Sequence, residues 1–389
     1  PQVTPEEKPR LVELHDLLAT GDRAQAVGQM MSDPQFIATL RANPAKVPAA
    51  MEARLQALPF LFLMMLLYRR DYVGAATLIW GPDIFTAEPQ AVQDIWNAIG
   101  KYNLINVLGC GSAGKTYSAA ARFLLEWVLD PDFSLIRVMS VKEDHVLKNL
   151  FGDMHRLYAG SVIQLPGKAD SQSIATPQGK LNGQGIFPIV IPRGPEASGT
   201  IKGSKVKPRP KHPLFGTSSR TFLIIDEAQE VPESAWMEVP NLFSSIDEAD
   251  TEHTVIISAA NPKNIFSRFG QNCMRQVDWD EISKRISKFR TWMSDRGWFC
   301  IRINALETEN VKNGTTIYPR FITANGVKMK MKDVGGDAEH PLIWSEVYGM
   351  FPPNGMLVNI IQRHWVDRAK KEFLFESATI PVAGEDVGL

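Results

Sequence analysis

The chain has 389 residues, 44% of them apolar and 22% charged, with a net charge of −1 at pH 7. That length suits two or three compact units. The near-neutral balance excludes a global field that would collect nucleic acid, so such contacts must come from local patches or from several subunits placed around it. Cys110, Cys273 and Cys300 form no metal spacing and fit a reducing compartment, and the longest apolar run, residues 57–68, is too short to span a bilayer.

In chain order, residues 1–78 read as an N-terminal helical region. Leu11, Leu14, Leu17 and Leu18 recur at helical spacing, and Thr4-Pro5-Glu6-Glu7 resembles a helix start with proline at the first position. A second helical stretch covers 47–68, with a break expected near Pro59. No chemistry is visible there, and an accessory helical layer is the plain reading.

From about residue 85, helices alternate with short β-rich runs, which implies a doubly wound, mostly parallel α/β sheet. Strands are expected at 103–108, 135–140, 186–191, 220–225 and 254–258. Pro188 puts the third at an edge. Residues 160–220 are rich in Gly, Pro and Lys and read as long loops or a hairpin. Beyond 265 come a basic amphipathic helix over 280–293, a turn-rich region and a helix over 360–373. The chain begins at Pro1 and ends at Gly384-Glu385-Asp386-Val387-Gly388-Leu389, which reads as the opening of a further strand, so a longer parent protein is expected.

The chemistry begins at Gly109-Cys110-Gly111-Ser112-Ala113-Gly114-Lys115-Thr116, which reads G-x-x-x-x-G-K-T between a strand and a helix. In such a loop the backbone amides surround a polyphosphate, Lys115 reaches the β/γ oxygens and Thr116 sets its hydroxyl on Mg²⁺. Its partner is Phe222-Leu223-Ile224-Ile225-Asp226-Glu227, an apolar strand tipped with two carboxylates. Asp226 suits the metal, and Glu227 suits polarising the water that attacks the γ-phosphate. Together they point to nucleoside triphosphate hydrolysis.

Three further positions join the candidate site. Ser258 and Asn261 end the next strand, where a small polar residue can sense the γ-phosphate and couple hydrolysis to the rest of the domain. The plainer reading is an asparagine cap before Pro262. Gln90, upstream of the loop, can donate and accept at once, matching the N6/N7 edge of adenine and favouring ATP. Its plainer reading is an exposed glutamine near a helix start. Lys202, Lys205, Lys207, Arg209 and Lys211 form an exposed basic run that would carry an arginine finger, touch a phosphate backbone or simply be solvated. Lys284, Arg285, Lys288 and Arg290 repeat that charge on the expected helix.

These residues resemble the large terminase subunit of tailed double-stranded DNA bacteriophages. The ordered matches run from Pro89-Gln90 through the 109–116 loop, Ile201-Lys202-Gly203, Asp226-Glu227-Ala228-Gln229 and Ser258-Ala259-Ala260-Asn261 to Tyr348-Gly349-Met350-Phe351-Pro352, similar to that family's G-x-F-P segment. The loop and D-E-A-Q are shared with helicases. The G-x-F-P segment and the closing G-E-D-V-G are more specific.

The resemblance implies a P-loop NTPase of the ASCE/RecA-like kind: an ATPase core at 79–300, a lid or linker subdomain at 301–378, and at 379–389 the start of an RNase H-like nuclease whose metal-binding aspartate would be Asp386. It further implies Mg²⁺-dependent ATP hydrolysis by a motor that self-associates into a ring on the prohead. That motor would move double-stranded DNA in the infected host's cytoplasm with a portal protein and a small terminase subunit, and would be absent from the mature virion. No membrane is implied.

The loop lacks the arginine common in that family, and Lys202 stands where arginine is usual. Arg209 and Arg220 are therefore the finger candidates. The other readings are a DEAD-like helicase and a nucleotide-gated interaction module. The second has no need of Glu227.

Overall fold

A computed structural model of the protein describes residues 7–42, 51–202, 220–244 and 254–353. Arg209, Asp386, most of the 202–211 basic run and the helix expected over 360–373 lie outside the described residues. Helices α1 (Glu7–Thr20), α2 (Arg23–Met31), α3 (Pro34–Ala42), α4 (Met51–Tyr68) and α5 (Tyr72–Ile84) open the chain. Leu11, Leu14 and Leu18 are buried, as the helical spacing requires. The break at Pro59 does not occur: α4 runs through it. Proline removes one backbone bond, and burial of Phe62, Leu63, Met65, Leu66 and Leu67 on the following turns offsets that loss.

After α6 (Gln90–Ile99), nine strands form one mixed sheet: β1 (Leu104–Gly109), β2 (Ser134–Ser140), β3 (Lys168–Ala169), β4 (Ile174–Ala175), β5 (Gly185–Val190), β6 (Arg220–Asp226), β7 (Thr254–Ala260), β8 (Thr291–Met293) and β9 (Phe299–Ile303). Their order is β3-β4-β5-β2-β6-β7-β1-β9-β8. The six from β5 to β9 in that order pair in parallel, and the short outer strands are antiparallel. All of β7 and all of β6 except Asp226 are at least nine-tenths buried, so their apolar runs are covered on both faces. The strand of Pro188 is not at an edge, since β5 lies between β4 and β2, but its missing N–H does no harm because β4 meets β5 only at Ile174↔Ile186.

The α7 helix (Lys115–Leu129) packs against β2, β6 and β7 and carries the loop at its N-terminus. Two local readings change. Residues 280–293 do not form a helix: Trp279–Ile282 makes one turn, and 291–293 is β8. The buried Arg302 guanidinium on β9 takes the carbonyls of Ile282, Lys284 and Arg285, acceptors a continuing helix would have spent on its own amides. The sheet also extends past residue 300, since β9 pairs with β1 from Ile105↔Phe299 to Gly109↔Ile303.

Candidate functional site

The site assembles at the carboxyl ends of β1, β6 and β7. The 109–116 loop leaves β1 and winds into α7 with Ser112 (φ 56) and Gly114 (φ 69) both left-handed. Such alternation turns successive amides toward one concavity, which binds anions, and α7 adds the positive end of its dipole. The amides of Ser112, Ala113 and Gly114 meet no acceptor among the described residues. Gly114 could not be larger: its φ disfavours a side chain, and a Cβ there would come within 2.6 Å of the Phe321 ring.

The loop's first two amides are used otherwise. Cys110 N–H donates to Ile303 O at 3.0 Å, and Gly111 N–H donates to Glu346 O at 3.1 Å. Ser112 O accepts from Ile322 N–H at 2.9 Å. The C-terminal segment therefore clasps the loop from outside. Gly349 (φ 60) permits this, because a Cβ there would lie 2.3 Å from Ile303 O and 3.0 Å from both Cys110 N and Gly109 Cα. Cys110 is fully buried, which pushes its thiol up to about 11 and leaves it unreactive.

Thr116 Oγ1 donates to Asp226 Oδ1 at 2.9 Å, so the hydroxyl and the carboxylate expected to hold Mg²⁺ converge. Among the described residues no cluster of three acidic, histidine or cysteine side chains could hold a metal. That donor set fits Mg²⁺, which takes one or two protein oxygens and fills its octahedron with phosphate and water. Glu227 follows in a left-handed conformation (φ 50, ψ 42), unusual for a residue with a side chain and typical of strained functional positions. Burial raises its pKa and the Asp226 charge adds to that, while Lys263 and His145 oppose.

Lys115 curls back over the loop. Its Nζ donates to Gly109 O at 3.2 Å, Cys110 O at 2.8 Å and Asn261 Oδ1 at 2.7 Å. Burial lowers its pKa, and the nearby carboxylates of Asp226, Glu227 and Glu346 resist. Asn261 Nδ2 donates to Glu346 Oε1 at 2.8 Å, and Lys330 Nζ pairs with Glu346 Oε2 at 2.9 Å. Glu346 ends the helix Pro341–Glu346, and Lys330 lies on the helix Ala324–Asp333.

The remaining expected residues fall elsewhere. Ser258 is buried within β7, its hydroxyl bonded to Asn106 Oδ1 on β1 rather than turned to the loop. Gln90 starts α6, and its side-chain amide donates to Asp94 Oδ1 at 2.9 Å. It does not border the cavity of about 230 Å³ beside Gly114, whose lining includes Ile84, Phe85, Tyr117, Arg320 and Phe321. Arg220 begins β6 at the end opposite Asp226, 7% exposed and paired with Glu126, so it cannot serve as a finger. The charges at 284–290 are largely neutralised: Lys284 pairs with Glu281, Arg285 with Glu339 and Arg290 with Asp94.

Three features escaped the sequence reading: β9, the Asn261–Glu346–Lys330 chain and the aromatic cavity beside Gly114. The run Trp298-Phe299-Cys300-Ile301 carried a usable β signal. Lys330 and Glu346 carried none, since they meet only in three dimensions.

A larger cavity, about 470 Å³, lies around Arg122, Glu126 and Arg220, away from the loop. Its size gives it no chemistry, because its buried charges are already paired with one another.

No family model matches the chain, and no curated protein matches it. Among solved structures it is similar to the large terminase from the thermophilic bacteriophage D6E, with a TM-score of 0.36 and 11% identity over 56% of this chain and 45% of that one. At that distance the likeness bears no weight, and function is read from the geometry. Among the described residues no helix is long and apolar enough to cross a membrane.

Proposed function

We propose that this chain is a Mg²⁺-dependent ATPase and the motor part of a DNA-packaging terminase. One observation carries the hydrolase reading: the Thr116 hydroxyl of an anion-binding loop is bonded to Asp226, with Glu227 held beside it in a strained conformation. The unused amides of Ser112, Ala113 and Gly114 and the ammonium of Lys115 would hold the polyphosphate. Glu227 would orient the attacking water and take its proton. Thr116 and Asp226 would hold Mg²⁺, which would supply charge neutralisation at the oxygens where negative charge develops.

The RecA-like reading gains support from β7, which lies between the loop's strand and the acid's strand and delivers Asn261 to Lys115. The base would occupy the cavity beside Gly114, with Tyr117 and Phe321 as apolar walls. This takes adenine recognition away from Gln90.

The motor reading rests on the resemblance. It is supported by the way Gly349 of the G-x-F-P segment seats against the loop, which gives that segment a mechanical reason to accompany an ATPase. Double-stranded DNA, a portal protein, a small terminase subunit and ring neighbours are the partners, in the infected host's cytoplasm.

The test is ATP turnover with and without duplex DNA, comparing wild type with Glu227→Ala. Loss of about 10²–10⁴-fold in turnover with ATP binding retained is expected. Normal hydrolysis by the variant would remove Glu227 from its role, and turnover indifferent to DNA in the full-length protein would remove the motor.

A further inference from the structure

Lys330 and Glu346 have no role in the reading above, yet they stand beside Gly111 of the loop and are linked through Asn261 to Lys115. Lys115, the ammonium that takes β/γ oxygens, reaches back to Gly109 O and Cys110 O, which fixes that end of the loop. Beside it, a Cβ on Gly111 would lie 2.5 Å from Glu346 Oε2 and 3.1 Å from Lys330 Nζ. A second ammonium and a carboxylate thus occupy the space next to the third residue of the loop. Both are partly shielded, with side-chain exposures of 31% and 17%.

We propose that Lys330 is a second phosphate-binding cation, acting within the same chain on the terminal phosphate and held on Glu346 until a triphosphate arrives. The proposal rests on the ATPase reading. The arrangement is a linear relay: Lys115 on Asn261, Asn261 on Glu346, Glu346 on Lys330. A terminal phosphate entering beside Gly111 brings like charge against Glu346 and competes with Asn261 for Lys115. Lys330 exchanges one anionic partner for a more highly charged one, as an ammonium acting as a point charge readily does. A diphosphate, lacking that group, leaves the Glu346–Lys330 pair in place. The site therefore distinguishes ATP from ADP through two helices of the C-terminal region, and the loop needs no arginine of its own.

The predicted signs are opposite for the two partners, which separates this role from structural support. Binding is measured for adenosine 5′-(β,γ-imido)triphosphate and for ADP, each with Mg²⁺, in wild type, Lys330→Ala, Glu346→Gln and Lys115→Ala. Lys330→Ala is expected to weaken the triphosphate analogue about tenfold or more and ADP less than about threefold. Glu346→Gln is expected to tighten the analogue at least about threefold, because it removes the repulsion and releases the lysine.

Equal weakening of both nucleotides by Lys330→Ala, or no change in either, overturns the proposal. So does weaker analogue binding by a folded Glu346→Gln. If wild type binds neither nucleotide, or Lys115→Ala leaves binding intact, it is the underlying ATPase reading that fails.

Discussion

Replacing Gly349 with alanine tests the clasp between the C-terminal segment and the 109–116 loop. Two penalties are expected. A left-handed backbone (φ 60) costs an alanine about 1–2 kcal/mol relative to glycine. The new Cβ would also lie 2.3 Å from Ile303 O, a backbone atom that already accepts the Cys110 amide at 3.0 Å. Relieving that overlap means moving one chain off the other, which adds overpacking strain and a lost hydrogen bond of about 2–3 kcal/mol together.

Gly297→Ala is the internal control. Gly297 has φ 76 with nothing within 4 Å of its Cβ position, so only the backbone penalty applies. In urea denaturation Gly349→Ala should lose about 3–5 kcal/mol and Gly297→Ala about 1–2 kcal/mol. Nucleotide affinity should fall only in the first, because only there is the root of the loop disturbed. Equal losses in the two variants, with unchanged nucleotide affinity, would refute the clasp.

Two further predictions concern ionisation at the far end of the sheet. Burial raises the Asp130 carboxyl to about 7, with Arg220 opposing and Asp132 adding, against about 3.9 in the unfolded chain. The folded state therefore holds its proton more tightly, so the stability is fully present below about pH 4 and is lost as pH rises from there through 7. Asp130→Asn should raise Tm at pH 8 and lose that advantage progressively toward about pH 4; an advantage unchanged across that range would refute it. Burial pushes Glu126 up, but Arg122 and Arg220 outweigh it and bring the carboxyl down to about 2. Its contribution is present above about pH 4.3 and lost as pH falls toward 2. Glu126→Gln should cost about 3–5 kcal/mol at pH 7 by leaving two buried guanidinium groups unbalanced, and a loss under 1 kcal/mol in denaturant melts would contradict this.

Five of the six parallel strands, all but β9, were legible because burial leaves continuous apolar runs, as at Leu223–Ile225 and Val255–Ile257, with loop and acids at their tips. The residues of the candidate site were readable one by one, since Lys115, Thr116 and Asp226 each stand at a motif position. What could not be read was long-range. Ile282, Ile286 and Phe289 have helical spacing, but Arg302 claims the carbonyls such a helix needs. Ser258 looked like a strand tip, yet two more residues of β7 follow it, and Asn261 takes the place beside Lys115. Arg220 looked like a spare cation because its partner, Glu126, lies on another element.

The double tether at the root of the loop, Ile303 O on Cys110 and Glu346 O on Gly111, has a mechanical consequence. Val347 O also accepts the Ala305 amide at 2.8 Å, so the two tethering strands of chain are laced to each other before they reach the loop. Any load applied to the chain at Phe351 arrives at the mouth of the pocket after only a few covalent links. The same seam that braces the loop is thus a short mechanical path between the loop and the segment that carries Gly349.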